Sequence, residues 1–234
     1  MSVSRRRLRL ALAAVLAALA VCAAGFFWYV SDYYRADAQA LAIEQTAQTT
    51  GPYTSLSAEN AAVGIVFYPG GKVEAAAYLP LLQQLQQQGY TCVLAQMPFH
   101  LAVFGSNAAT DAMALHPEVQ HWYLAGHSLG GAMAGSYAAA HPDKVEGLLL
   151  LGAYLYDEYP TEEVLVLYGS EDGVLNRAKL TGQPFEQVIA GGNHAQFGNY
   201  GPQAGDGTAA ISAAEQQAIA VRRMDEFIRA DLAG

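Results

Sequence analysis

The pentapeptide at residues 126–130, Gly-His-Ser-Leu-Gly, is the part of the sequence best suited to covalent chemistry. It lies between an apolar, strand-like run and a run of small residues typical of a helix. A serine held in a sharp strand-to-helix turn exposes its hydroxyl, flanking glycines avoid a steric clash, and the helix N-terminus faces developing negative charge. We therefore predict Ser128 as a nucleophile. The alternative is a serine that only caps the helix.

Two later strand ends supply an acid and a base in the order that such a turn requires. The apolar run that begins at Val164 breaks at a glycine and leads to Asp172. The next apolar run ends in two glycines, and His194 follows them in a glycine-rich loop. We predict that His194 is the general base and that Asp172 orients its imidazole ring.

Other acids and histidines compete for these roles. Glu171 is as acidic as Asp172, and another acidic pair follows the preceding strand, Asp157 and Glu158. Four histidines lie upstream of the nucleophile strand or beside prolines. We predict that they lie on the surface or are buried with their hydrogen bonds formed: His100, His116, His121 and His141. His127 is predicted to line the turn, because adjacent residues in a tight turn point in different directions.

From about residue 62 to residue 232, the motifs and their order resemble those of the alpha/beta-hydrolase family. The resemblance implies a hydrolytic activity, and we expect this activity to need no cofactor or metal. It also implies Ser128 as the nucleophile, Asp172 as the acid and His194 as the base.

The same resemblance implies an oxyanion hole made of two backbone amides. One is the amide of Leu129, which follows the serine, and the other comes from the loop after an earlier strand, here residues 68–72. Many family members have His-Gly in this loop, whereas this chain has Pro-Gly. Proline offers no donor and the glycines let the backbone turn its N–H groups towards a substrate. We expect Gly71 to be the second donor, with Lys72 as the alternative.

Strand-like and helix-like runs alternate from residue 62 onwards, which predicts a mostly parallel sheet of about six strands with helices on both faces. The predicted strands cover residues 63–67, 91–95, 121–125, 146–151, 164–168 and 185–190. The predicted helices cover residues 75–88, 107–115, 128–140 and 212–230. The stretch between the fourth and fifth strands is too short for a large cap domain.

Two apolar loops after strand ends are predicted to form the walls of the substrate pocket, residues 97–104 and 154–159. The candidate pocket residues are Met97, Phe99 and Tyr154. The alternative is that these side chains only cover the core. An apolar wall favours uncharged or acyl-bearing substrates.

The N-terminal segment predicts attachment to a membrane. Four arginines among residues 5–9 precede an uncharged run at residues 10–30, which is long enough to cross a bilayer and ends in aromatic residues. We read residues 1–30 as a signal anchor with the remainder of the chain outside the cytoplasm, residues 31–60 as a connector and residues 61–234 as the hydrolase domain. The alternative is a long signal peptide, which would leave a secreted enzyme.

Charge and composition exclude several other classes of protein. Once the four arginines are set aside, 8 basic residues remain against 21 acidic ones, a net charge of about −13 after Val30. We therefore expect no nucleic-acid partner, because phosphate contacts need a basic surface. No His, Cys or acidic cluster has metal-ligand spacing, and Cys22 and Cys92 are interpreted as small apolar residues.

Together these features predict a membrane-anchored serine hydrolase that cleaves small-molecule carboxylic esters through an acyl-enzyme. A thioesterase, lactonase, peptidase or acyltransferase would use the same three side chains. A domain that keeps the fold but only binds a partner is the alternative from another class of protein.

Overall fold

Eight strands form one sheet in the computed structural model, which describes residues 3–180, 182 and 184–233. Their order across the sheet is β1-β2-β4-β3-β5-β6-β7-β8. The first two strands are antiparallel to their neighbours, and the other six are parallel. The strands are β1 Gln48–Thr50, β2 Tyr53–Leu56, β3 Val63–Tyr68, β4 Thr91–Ala95, β5 His121–His127, β6 Gly147–Leu151, β7 Val164–Gly169 and β8 Phe185–Ile189.

The predicted six-stranded core is therefore present, and the number of strands is corrected to eight. The two additional strands come from the segment interpreted as a connector. Tyr53 of β2 pairs with Ala95 of β4, and β1 continues the sheet beyond β2. A short antiparallel hairpin of this kind covers the edge of β4, which would otherwise expose unpaired backbone groups.

The helices lie between the strands or at the ends of the chain, as the alternating pattern predicts. Their bounds are α1 Val3–Ser31, α2 Ala38–Glu44, α3 Leu79–Gln87, α4 Ala108–Ala114, α5 Leu129–Ala140 and α6 Ala213–Asp231. The predicted helix at residues 75–88 begins as a single 3₁₀ turn, Ala75–Tyr78, before α3. Ser212 caps α6 by accepting a hydrogen bond from the Glu215 N–H at 3.2 Å.

Both faces of the sheet are buried, because successive side chains of a strand point to opposite sides. Ile65 and Phe67 of β3 pack in the core beside α3 and α6, whereas Val66 and Tyr68 pack in the core beside α4 and α5. This explains why the central strands are continuous apolar runs rather than alternating ones.

The chain divides into two compact units, residues 1–33 and residues 34–234. The second unit includes residues 34–60, so this segment is part of the folded domain. Residues 1–2 of the predicted anchor and Thr181, Gln183 and Gly234 of the predicted hydrolase domain lie outside the described residues. The first unit contains α1, in which an 18-residue window of Arg6–Ser31 has a mean hydropathy of 2.5. By length and composition this helix could span a membrane or serve as a signal sequence.

Candidate active site

Ser128 occupies a strained turn between the end of β5 and the start of α5. Its backbone has φ 53° and ψ −121°, which is uncommon for a residue with a side chain. Such a conformation costs about 1–3 kcal/mol and persists only where the surrounding structure requires it. A Cβ atom on Gly130 would lie 2.1 Å from the carbonyl oxygen of Tyr68, and one on Gly126 would lie 2.6 Å from the carbonyl carbon of Gly130. The two glycines of the motif therefore allow the close packing that holds the serine in place.

Asp172 and His194 form a buried pair. The Nδ1 atom of His194 lies 2.8 Å from Oδ2 of Asp172, and both side chains are almost fully shielded from solvent. The other carboxylate oxygen accepts hydrogen bonds from the backbone N–H groups of Val174 and Leu175 at 2.9 and 2.8 Å. Burial favours the neutral acid, but the hydrogen bonds and the charge of His194 outweigh it, and the pKa of Asp172 is lowered. Asp172 is thus an anion that can orient the imidazole ring.

The second nitrogen of His194 is available for chemistry. Within the part of the chain that the structure describes, its Nε2 atom is buried and has no hydrogen-bond partner. Ser128 and His194 line the same cleft. A buried ring nitrogen without a partner suits a group that exchanges a proton with a bound substrate or with the serine.

The loop after β3 approaches the start of α5. A Cβ atom on Gly71 would lie 3.0 Å from Cδ2 of Leu129, so the two predicted oxyanion donors are neighbours. Leu129 is the first residue of α5, and its N–H has no partner within the helix. The N–H of Lys72 instead donates to the carbonyl of His100 at 2.8 Å. Of the two candidates in this loop, the geometry therefore favours Gly71 as the second donor.

A buried tyrosine supports this loop, and the sequence analysis did not identify it. The Tyr78 hydroxyl accepts a hydrogen bond from the N–H of Gly70 at 3.1 Å and lies 2.8 Å from Nδ1 of His127. Burial lowers the pKa of His127 well below its ordinary value, and the nearby His194 lowers it further. The Nδ1 atom of a neutral His127 can accept a hydrogen bond from the Tyr78 hydroxyl. The predicted role of His127 as a residue lining the turn agrees with this position.

Asp206 is a second residue that sequence reasoning missed. Its Oδ1 atom accepts hydrogen bonds from the N–H groups of Gly173 and His194 at 3.1 and 3.2 Å, and its Oδ2 atom accepts one from Ala195 at 2.8 Å. One carboxylate thereby joins the turn that carries Asp172 to the turn that carries His194. An acidic residue among the closely spaced glycines at residues 198–207 was the available signal.

Two of the competing acids and three of the competing histidines interact with residues outside the Asp172–His194 pair. The exposed Glu171 side chain accepts a hydrogen bond from the Ser170 hydroxyl at 2.8 Å, and Asp157 accepts one from Ser136 at 2.5 Å. His116 is buried with its Nε2 atom 2.9 Å from the Ser55 hydroxyl. Two further histidines interact away from the cleft, His121 with Glu146 and His141 with Tyr137.

The cleft has a volume of about 510 Å³ and mostly apolar walls. Tyr154, a predicted pocket residue, lines it, but the other two predicted pocket residues do not. Met97 is buried in the core, and Phe99 is exposed outside the cleft against Phe104. The remaining apolar wall comes from several elements: Val103, Leu129, Ala132, Met133, Ala153, Tyr156, Val174 and Leu175.

Comparison with known proteins identifies the family and the fold of the chain. A model of the alpha/beta hydrolase family matches residues 64–218. The match covers well over half of the chain, and the chain belongs to the alpha/beta hydrolase family. A search of curated proteins finds no match.

Solved structures show the same fold at low sequence identity. Est1E from Butyrivibrio proteoclasticus is 14% identical with a TM-score of 0.57, over 80% of this chain and 98% of that one. TT1662 from Thermus thermophilus is 13% identical with a TM-score of 0.55, over 75% and 93%. A ferulic acid esterase from Streptomyces cinnamoneus is 18% identical with a TM-score of 0.52, over 71% and 66%.

Proposed function

We propose that this protein is a serine hydrolase that cleaves carboxylic esters. One observation carries the proposal. His194 is hydrogen-bonded to Asp172 at 2.8 Å through Nδ1, and its Nε2 atom has no hydrogen-bond partner among the residues that the structure describes. His194 lines the same cleft as Ser128. Nucleophile, base and orienting acid are the three groups that acyl transfer through serine requires.

In the proposed reaction, Nε2 of His194 takes the proton of the Ser128 hydroxyl as Oγ attacks the ester carbonyl carbon. The amides of Leu129 and Gly71 stabilise the oxyanion. The imidazolium then gives its proton to the alcohol oxygen as the C–O bond breaks, which leaves an acyl-enzyme. His194 next takes a proton from water, the hydroxide attacks the acyl carbon, and the carboxylic acid leaves as Ser128 recovers its proton.

An ester panel tests the reaction class. We expect the full chain to hydrolyse 4-nitrophenyl esters of neutral acyl groups and to discriminate against anionic acyl groups, because the walls of the cleft are mainly apolar. One of the similar structures is named a ferulic acid esterase, which is a reason to include aromatic acyl groups in the panel. Matched thioesters and amides should be cleaved more slowly. Rates that are higher for thioesters or amides would replace the esterase assignment with a thioesterase or peptidase.

We further propose that α1 anchors the enzyme in a membrane, with the arginines among residues 5–9 in the cytoplasm and residues 34–234 outside it. Two observations support this proposal: the apolar length of Arg6–Ser31 and the arginines that precede most of it. A small, acidic substrate-binding domain would then act at the extracytoplasmic face of the membrane.

Fractionation of expressing cells tests the anchor. We expect the mature chain to keep its N-terminus, to remain with membranes in carbonate and to be released by detergent, since a spanning helix is held by its apolar length. The same measurements on a chain that begins at residue 31 should find it in the soluble fraction. A mature N-terminus between residues 20 and 40 would instead indicate a cleaved signal peptide and a secreted enzyme.

A further inference from the structure

The folded domain begins at the edge of the sheet that carries the candidate active site. The Tyr34 N–H donates a hydrogen bond to the carbonyl of Lys72 at 2.8 Å, and the Glu74 N–H donates to the carbonyl of Tyr34 at 2.9 Å. Tyr34 also forms a parallel bridge with Val73. These partners directly follow Gly71, the candidate oxyanion donor. The first residue of the domain therefore lies beside the loop that the reaction uses.

The same edge carries a set of exposed apolar side chains, which we call the apolar rim: Phe99, Val103, Phe104, Tyr156 and Val174. Their exposed fractions range from 38% to 68%. They follow β4, β6 and β7, at the carboxyl ends of parallel strands, where ligands bind in folds of this kind. Three of them line the cleft, so the rim continues into it.

Two phenylalanines extend the rim beyond the cleft. The rings of Phe99 and Phe104 meet edge to face with centroids 5.5 Å apart, and 43% and 52% of these residues remain exposed. Phe99 has φ 58°, and His100 beside it has φ 56°. Bulky residues adopt positive φ only where surrounding contacts hold them, and the hydrogen bond from Lys72 to the His100 carbonyl is one such contact. The loop is thus held in a conformation that presents aromatic surface to the outside.

We propose that the apolar rim docks on the bilayer that holds α1, so that the cleft receives esters with long acyl chains from the membrane. This inference rests on the proposed anchor and hydrolase activity. Only Asp32 and Tyr33 separate the end of α1 from Tyr34. In an anchored chain, this short connection limits the distance between the end of α1 and Tyr34, which lies beside the candidate oxyanion loop, to about 10 Å.

Charge selects the kind of membrane surface. The chain after Val30 carries a net charge of about −13, which disfavours an anionic lipid surface. Apolar and aromatic side chains insert at the boundary between headgroups and acyl chains without a charge partner. The partner we infer is therefore a surface of zwitterionic lipid, and the substrate is an uncharged ester dissolved in it.

A fluorescence experiment tests docking without relying on catalysis. The full chain is reconstituted in phosphatidylcholine vesicles with brominated acyl chains, in a Trp28→Phe background that leaves only Trp122, which is buried. In the Phe104→Trp variant, we expect the fluorescence of the added tryptophan to be at least halved in brominated vesicles, compared with vesicles of the unbrominated lipid. Leu115→Trp is the control, because Leu115 is partly exposed but follows α4 and is separated by five residues from the amino end of β5, whereas the rim residues follow the carboxyl ends of strands. Equal quenching at both positions, or none at position 104, would overturn the proposal.

A substrate comparison tests the consequence for activity. The Phe99→Asp/Phe104→Asp variant changes rim residues outside the cleft, and Leu115→Asp is its control. We expect the double variant to cleave a long-chain ester dissolved in the vesicles about tenfold more slowly than the unchanged protein, and a water-soluble acetate ester at an unchanged rate. Equal losses on both esters would contradict docking. If the unchanged protein cleaved neither ester, the proposed hydrolase activity would fail, and the quenching result would still decide whether the rim docks.

Discussion

Replacing Ser128 by alanine is expected to lower ester hydrolysis by about 10⁶-fold, because the variant lacks the hydroxyl that we propose as the nucleophile. The variant should also lose labelling by a fluorophosphonate probe, which reacts with activated serines. The fold should persist, because alanine retains the Cβ atom that fits the turn at φ 53° and the serine side chain makes no capping hydrogen bond to α5. Hydrolysis rates, probe labelling and the thermal unfolding midpoint together measure this prediction.

Ser136→Ala is the matched control for this substitution. Ser136 lies on the same helix, α5, but its hydroxyl bonds to Asp157 outside the cleft. We expect the control to keep full activity and labelling. A Ser128→Ala protein that retained more than about 1% of the activity would remove Ser128 from the role of nucleophile, whatever the control does.

The second large effect is expected from Asp172→Asn, which should lower turnover by about 10⁴-fold. Asparagine can still accept the hydrogen bonds from Val174 and Leu175, so the turn after β7 is preserved. Its amide would instead face Nδ1 of His194 as a donor and favour the tautomer that carries the proton on Nε2. In that tautomer His194 cannot take the proton of Ser128, which is the physical reason for the loss.

Glu171→Gln is the control, because it neutralises the adjacent carboxylate. Glu171 is exposed and bonds to the neighbouring Ser170, so we expect less than about a threefold change. Turnover measured across pH for both variants checks the ranking. The reverse order of effects would move the orienting acid to Glu171 and contradict the geometry of the buried pair.

Much of the fold could be predicted from the sequence, because it depends on local patterns. Apolar runs that alternate with helical segments predicted the central parallel sheet. The glycines on either side of Ser128 predicted the strained turn, because such a turn requires them. The sequence of residues 49–60 is typical of turns or a short strand, and it did not predict that residues 48–56 join the sheet, since these strands are short and β2 pairs with β4 about 40 residues away in sequence. A hairpin whose main partner lies so far along the chain leaves little local pattern to read.

For the candidate site, the sequence by itself determined the residue types and their order, with each chemical group at the end of a strand. Only the tertiary structure decided that Asp172 meets His194, that the Lys72 amide bonds to the carbonyl of His100, and that Phe99 lies outside the cleft. It also revealed Asp206 and Tyr78, whose hydrogen bonds join segments that are distant in sequence. Such contacts depend on how loops pack at one edge of the sheet, and hydrophobic periodicity determines strands and helices but not loop packing.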